Sequence, residues 1–188
     1  MPGSANLSRP RILESERLFI TPPTLDDLET NFRWDNDHQL SLLDGGRFQP
    51  RTRDEVREKL VKKMASTSFL HFSIILKSSG KHIGNAVVFE ISDHDRRCRW
   101  GIRLGPEYNR QGYGSETARL IFHYVFENLN MRRLVSGANG RNTVSMQFHD
   151  SLGFVLEGRL RDHRLIEGET FDELVYGLMR EDYERLYK

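Results

Sequence analysis

One stretch, Trp100 to Val125, constrains this chain more than any other, and its apolar spacing runs on to Leu129. It opens with Trp100-Gly-Ile-Arg-Leu104, passes through Gly105-Pro-Glu-Tyr108-Asn-Arg-Gln-Gly112-Tyr-Gly114, and continues into Ala118, Ile121, Phe122, Val125, Phe126 and Leu129. The last six residues repeat at helical spacing and make one apolar stripe. The segment therefore reads as a strand, a glycine-rich turn and an amphipathic helix. Gly112 and Gly114 allow positive φ and take away side chains that would keep a ligand off the backbone. The unpaired amides at such a helix start, with the positive end of the helix dipole, suit a pyrophosphate. The turn is neither a Walker loop, since no Gly-Lys-Ser/Thr follows, nor a full Gly-x-Gly-x-x-Gly.

The rest of the chain supplies partners for that unit. Residues 1–15 are polar, carry Pro2, Gly3 and Pro10, and read as a loose N-terminal arm before a single domain over 16–188. Arg17–Thr21 is a short strand ended by Pro22-Pro23. Thr24 with Asp27 starts a helix with Leu25, Leu28 and Phe32 along one face. The chain then loosens from Trp34 through His38 to Gly45-Gly46. Thr52 with Glu55 is a second capping box, and Val56, Leu60, Val61 and Met64 form the buried side of the next helix. Phe72–Leu76 and Ile83–Ile91 read as strands around a turn at Lys77–Lys81, and a further strand spans Cys98–Leu104. After the long helix come a strand at Arg133–Ser136, a short helix over Asn142–Leu152 stopped by Gly153, a hairpin of Phe154–Leu165 and Phe171–Met179, and a closing helix at Arg180–Tyr187. Strands in hairpins interrupted by helices predict an α+β fold with a mixed, mostly antiparallel central sheet flanked by helices.

Composition excludes several classes. The net charge of +1 with no basic stripe gives no footprint for nucleic acid. No apolar run approaches the ~18 residues of a membrane span, and no signal peptide is visible, so a cytoplasmic protein with no membrane partner is expected. A lone cysteine, Cys98, forbids an internal disulfide and suits a reducing compartment. The histidines are scattered and none has ligand spacing with the cysteine, so no metal site is expected.

The phrase Asn109-Arg-Gln-Gly112-Tyr-Gly114, between Gly105-Pro-Glu-Tyr108 and Ser115-Glu-Thr-Ala118, resembles the acetyl-coenzyme A motif of the GNAT acetyltransferases. Asn109 departs from the Gln or Arg usual there. A second, independent phrase, Asn142-x-x-Ser145 before Leu152-Gly-Phe154-x-x-Glu157-Gly158, resembles the branch that holds ribosomal-protein N-terminal and spermidine acetyltransferases, and the element order over about residues 15–182 matches the GNAT order. The resemblance implies an N-acetyltransferase that moves an acetyl group from acetyl-coenzyme A to a primary amine, on a small molecule or a protein N-terminus, by direct attack in a ternary complex. It admits a homodimer without requiring one. The alternative is a non-catalytic module of the same fold that binds coenzyme A or a protein partner, because Arg99 stands where relatives often carry a glutamate base and His149 where they often carry tyrosine.

Site residues follow from the same resemblance. The backbone of Asn109, Arg110, Gln111, Gly112, Tyr113, Gly114 and Ser115 would hold the diphosphate. The edge Ile102-Arg103-Leu104 would pair with the pantetheine arm, with the Leu104 amide as oxyanion donor. Asn142, Ser145 and His149 share one helix face, beside a buried stripe of Val144, Phe148 and Leu152. The first two are expected against the coenzyme, and His149, with an ordinary pKa of about 6.5, as the acid for the leaving thiolate. Arginine is no base, so either another carboxylate serves, Glu90 first and the acidic loop second, or water carries the proton away. Trp34, Asp35 and Asp37 are the expected acceptor wall, within an acidic stretch that also holds Asp26, Asp27, Glu29 and Asp44.

Overall fold

The computed structural model describes residues 9–44 and 48–188. The apolar stripe after the glycine turn organises it: Ala118, Ile121, Phe122, Val125 and Phe126 are all fully buried. They cover one face of an eight-stranded sheet in the order β1-β2-β3-β4-β5-β6-β8-β7. The strands are β1 (Leu13–Glu14), β2 (Leu18–Thr21), β3 (Leu70–Leu76), β4 (His82–Ser92), β5 (Arg97–Leu104), β6 (Arg133–Asn139), β7 (Val155–Ile166) and β8 (Glu169–Met179). All neighbours run antiparallel except β5 and β6. The expected α+β architecture is the observed one.

The helices are α1 (Leu28–Asp35), α2 (His38–Leu43), α3 (Arg53–Met64), α4 (Tyr113–His123), α5 (Thr143–Ser151) and α6 (Arg180–Tyr187). α4 runs on into one wider turn at Tyr124–Asn128, which keeps Val125 and Phe126 in the core. Trp100 of β5 meets Phe122 edge-on at 5.2 Å and lies parallel to Phe154 at 6.3 Å, locking the strand before the glycine turn to the helix after it.

Several expectations need correction. Residues 1–8 of the expected arm, and Gly45-Gly46, lie outside the described residues. The later part of the arm is not loose: the Ile12 and Ser15 amides donate to Ile20 O and Leu18 O, both at 2.9 Å, and make β1 an edge strand. The stretch after Trp34 folds as α2, because the Asp37 carboxylate caps it by accepting from the Leu40 amide at 3.0 Å. Leu25, placed along one helix face, and Val61, Met64 and Val144, assigned to buried faces, are exposed. Each lies within a turn of a helix end. In their place a polar group goes in: Asp27 is fully buried and accepts from Arg9 Nη1, Thr24 N and Ser73 Oγ at 2.7–2.9 Å.

Candidate functional site

β5 and β6 are paired only from Arg97–Arg99 to Arg133–Val135. Beyond that point Trp100–Leu104 and Ser136–Asn139 part, and a cleft of about 570 Å³ opens between them. The ladder on the other side of β5 fixes which backbone groups face it. The Gly105 amide donates to Ile83 O across β4, and hydrogen-bonded pairs alternate along an antiparallel ladder. Gly101 and Arg103 therefore turn their backbone groups to β4, while Ile102 and Leu104 turn theirs to the split. Gly101 adds room, since a Cβ there would meet only Val87, at 3.6 Å.

At one end of the cleft lies the glycine turn. Arg110 (φ +58°) and Gly112 (φ +82°) both adopt left-handed backbone, and the turn so made leads into α4. Gly112 has no side chain to cap the helix, and the first intrahelical bond comes from the Glu116 amide. The Tyr113, Gly114 and Ser115 amides thus lack an intrahelical acceptor, which is the chemistry an anion needs. At Gly114 a Cβ would stand 3.2 Å from the Phe148 ring, so only glycine leaves this wall of the cleft open. Asn109, Arg110, Gly112, Gly114 and Ser115 line the cleft, as do Ile102, Arg103 and Leu104; Gln111 and Tyr113 do not. Those two face Arg17 instead. Its guanidinium lies 4.6 Å over the Tyr113 ring, donates to Gln111 O at 3.1 Å and binds Glu116 through Nε at 2.7 Å. Glu116 also accepts from Ser15 Oγ at 2.6 Å and Arg17 N at 3.0 Å. Partial burial pushes its carboxyl up, but the bonds from Ser15 and Arg17 outweigh this and hold it below the usual range.

Helix α5 forms the next wall. Asn142 caps it, accepting from the Ser145 amide at 2.9 Å, and all of Asn142, Ser145 and His149 border the cleft. His149 is deeper than a surface acid: it is 4% exposed, stacked on Tyr176 at 4.6 Å and edge-on to Phe154 at 5.3 Å. Its Nδ1 lies 2.6 Å from Ser145 O and its Nε2 2.7 Å from Ser136 Oγ. Burial pushes its pKa below the usual value, more than Ser145 and Asp150 pull it up.

The charged residues sit differently from expectation. Glu90 does not border the cleft; it stands exposed at the end of β4, with a positive φ of 48°, 3.5 Å from Arg99 Nη1. The β4–β5 register breaks between Phe89 and Ser92, which swings it outward. The carboxylate at this end of the cleft is Glu173 of β8, 9% exposed, accepting from Arg164 Nε at 2.7 Å. A Cβ at Gly137 would come within 3.0 Å of it. Trp34 is 2% exposed and packed 5.1 Å from His82, and with Asp35, Asp44 and Arg103 it lines a separate small pocket of about 120 Å³; Asp37 does not. Asp35 is 6% exposed and held between Lys59 (2.8 Å) and Arg103 (3.2 Å), which overcome its burial and keep its pKa low. The rest of the acidic stretch is spent likewise: Asp26 and Asp27 on Arg9, Glu29 on Arg53, Asp37 on its helix, Asp44 on Arg103. Cys98 is buried in the core, its thiol pushed up to about 12 by burial.

Sequence reasoning missed Ser136, Glu173 and Arg17. Ser136 follows the buried Leu134 at strand spacing, and Glu173 precedes an apolar Leu-Val-Tyr run; a polar residue at an inward strand position was the available signal. Arg17 carried none. Among the described residues no cluster of His, Cys, Asp or Glu is arranged to hold a metal ion, and no helix is long and apolar enough to cross a membrane.

Comparison with known proteins adds three findings. The family described as acetyltransferase (GNAT) domain matches residues 17–155. An uncharacterized N-acetyltransferase p20 of Bacillus licheniformis is 31% identical over 60% of this chain and 63% of its own length, and the probable N-acetyltransferase YjcK of Bacillus subtilis is 25% identical over 93% of this chain and its whole length. The crystal structure of a spermidine N-acetyltransferase from Vibrio cholerae, in complex with CoA and spermine, superimposes with a TM-score of 0.82 at 19% identity, covering 90% of this chain and 99% of that one.

Proposed function

This chain belongs to the GNAT acetyltransferase family, and from that premise we propose that it carries an acetyl group from acetyl-coenzyme A directly to a primary amine bound in the same cleft. The observation that carries the reading is the split between β5 and β6, with an uncapped glycine helix start at one end and a buried carboxylate at the other. The amides of Tyr113, Gly114 and Ser115 receive the diphosphate, with Arg110 beside them. Ile102 and Leu104 turn their amides into the split: Leu104 serves the pantetheine arm, and Ile102, two residues nearer the apex, takes the place expected of Leu104 at the carbonyl oxygen of the thioester. Asn142 and Ser145 close the coenzyme side. Glu173 takes the place expected of Glu90: it faces the ammonium of the acceptor and takes up its proton. A protein N-terminus, with a pKa nearer 8, needs less help there than an alkyl amine near 10.4. His149 stands on the side where the thiolate leaves. No covalent acyl-enzyme is required, and Cys98 takes no part.

The test is release of free thiol from acetyl-coenzyme A over a panel of small amines, amino acids, polyamines and short peptides. Turnover with one class and a loss of about 10²-fold in Glu173→Gln support the reading. Coenzyme binding without turnover on any amine refutes it in favour of a binding module.

A further inference from the structure

Resting on that acetyl-transfer reading, we infer that Ser136, rather than His149, is the group that hands a proton to the departing thiolate, with His149 behind it as the source. The Ser145 carbonyl at 2.6 Å is an acceptor only, so His149 Nδ1 must carry hydrogen. In the neutral ring Nε2 is then bare and accepts from the Ser136 hydroxyl at 2.7 Å. Both ring nitrogens are thus engaged, and the ring is clamped between Tyr176 and Phe154. Ser145 Oγ is also near, 3.5 Å from Nδ1, but the Nδ1 hydrogen is held by the Ser145 carbonyl, so the short polar path from the ring into the cleft runs from Nε2 through Ser136 Oγ. Ser136 is the first residue of β6 beyond the last pair with β5, and its Oγ lies 3.5 Å from the Trp100 carbonyl on the opposite strand. The hydroxyl therefore sits at the apex of the split, where the buried end of an inserted pantetheine arm, its sulfur, arrives.

The proton account closes. In the charged ring Nδ1–H donates to Ser145 O, Nε2–H to Ser136 Oγ, and the freed serine hydroxyl hydrogen points at sulfur. As the C–N bond forms and the C–S bond breaks, the C–S electron pair leaves on sulfur. Sulfur takes the serine proton, and serine takes the proton of Nε2. His149 is left neutral with its hydrogen on Nδ1, the arrangement the hydrogen-bond geometry favours. An acceptor arriving as an ammonium sheds two protons in becoming an amide; one returns through water to His149 and one leaves to solvent. Burial disfavours the charged ring at rest, and the charge developing on sulfur favours it during the reaction.

The experiment compares native protein with Ser136→Ala, Ser136→Thr, His149→Ala and the Ser136→Ala/His149→Ala double variant. The expected result is a fall of about 10²-fold in kcat for each single alanine variant, with KM for acetyl-coenzyme A unchanged. The double variant falls no further than either, as for groups that act as a unit, and Ser136→Thr stays within about threefold of native. A proton inventory in mixed light and heavy water curves for native protein, from two protons in flight, and straightens in the slow residual reaction of Ser136→Ala. Should Ser136→Ala not fold, Ser136→Gly, which likewise carries no exchangeable side-chain proton, takes its place with the same expectations. Near-native kcat in Ser136→Ala beside a crippled His149→Ala overturns the relay, since His149 then acts alone. Losses that multiply in the double variant overturn it too. If native protein is silent on every amine while coenzyme A still raises its melting temperature, the parent reading falls and the relay with it.

Discussion

Replacing Glu116 with glutamine tests how the N-terminal hairpin and the coenzyme turn are joined. The carboxylate is 15% exposed and accepts three bonds: from Ser15 Oγ at 2.6 Å, Arg17 N at 3.0 Å and Arg17 Nε at 2.7 Å. The Arg17 side chain is 43% exposed, so its ion pair contributes little by itself. The two bonds from Ser15 and the Arg17 amide are charge-assisted and sheltered, worth about 1.5 kcal/mol each at the low end. Glutamine retains one acceptor oxygen and recovers part of one bond, so the net loss is about 1.5–2 kcal/mol. For a chain of this size that is a fall in Tm of roughly 3–8 °C at neutral pH. The same clamp positions the turn through Arg17 and Gln111 O, so the Kd for coenzyme A rises as well, by about tenfold. The carboxyl is held below its ordinary value near 4.5. Its stabilisation is therefore present above the unfolded pKa and lost as pH falls through the folded one. The native and Glu116→Gln melting curves should draw together as the pH falls below the ordinary carboxyl range, and differential scanning fluorimetry from pH 3.5 to 7.5 reads this directly. A Tm difference under 1 °C at pH 7, or one that grows on acidification, refutes the clamp.

Gly114→Trp should fold and lose the coenzyme: a Cβ already stands 3.2 Å from Phe148, so the indole enters the cleft. Native protein at 100 times Kd of coenzyme A gains about 2.7 kcal/mol, or roughly 5–10 °C, and the variant should gain nothing measurable. Asp37→Asn should leave both Tm and acceptor KM unchanged, because asparagine caps a helix as well as aspartate does; a tenfold rise in KM would put Asp37 back in the acceptor site. Cys98, buried with its thiol pushed up to about 12, should resist iodoacetamide at pH 8 in native protein and react fully in guanidinium. Equal rates in both states would contradict its placement.

The helical stripe from Ala118 to Phe126 was legible because a period of 3.6 with no polar interruption has one reading, and the sheet it must cover followed. The glycine turn was legible for the same kind of reason: residues without side chains at a helix start have few purposes other than a close approach. What the sequence hid depends on distant partners. Asp35 and Asp44 read as an acidic rim until Arg103, on another strand, is seen between them. Trp34 does line a small pocket with Asp35, but no local pattern shows that His82 packs on it and leaves it nearly buried. Glu90 read as a base by its place along β4, and one break in register turned it outward. Helix α2 was lost because six residues give too short a window for periodicity, although Asp37 marked its start.

The pairing of charges gives the cleft a polarity that neither end has alone. Its carboxylates, Asp44 and Glu173, are each bound to an arginine that also borders it, Arg103 and Arg164. Arg110 borders it too, in the glycine turn, and among the described residues no carboxylate lies against its guanidinium. The cleft is therefore positive where the uncapped amides of α4 await an anion, and near neutral where Glu173 lies beside Gly137. A polyanionic donor is drawn to the first end by charge as well as by backbone shape. On the reading proposed above, the acceptor amine would meet no broad acidic field at the second and would depend on Glu173, whose hold on it is set by how firmly Arg164 binds. Loosening that pair, by Arg164→Gln, strengthens Glu173 as a partner for the ammonium while leaving the coenzyme end untouched. That variant therefore tests the proposed separation of acceptor from donor along the split: KM for the amine should fall while KM for acetyl-coenzyme A stays unchanged, and a change in the latter refutes it.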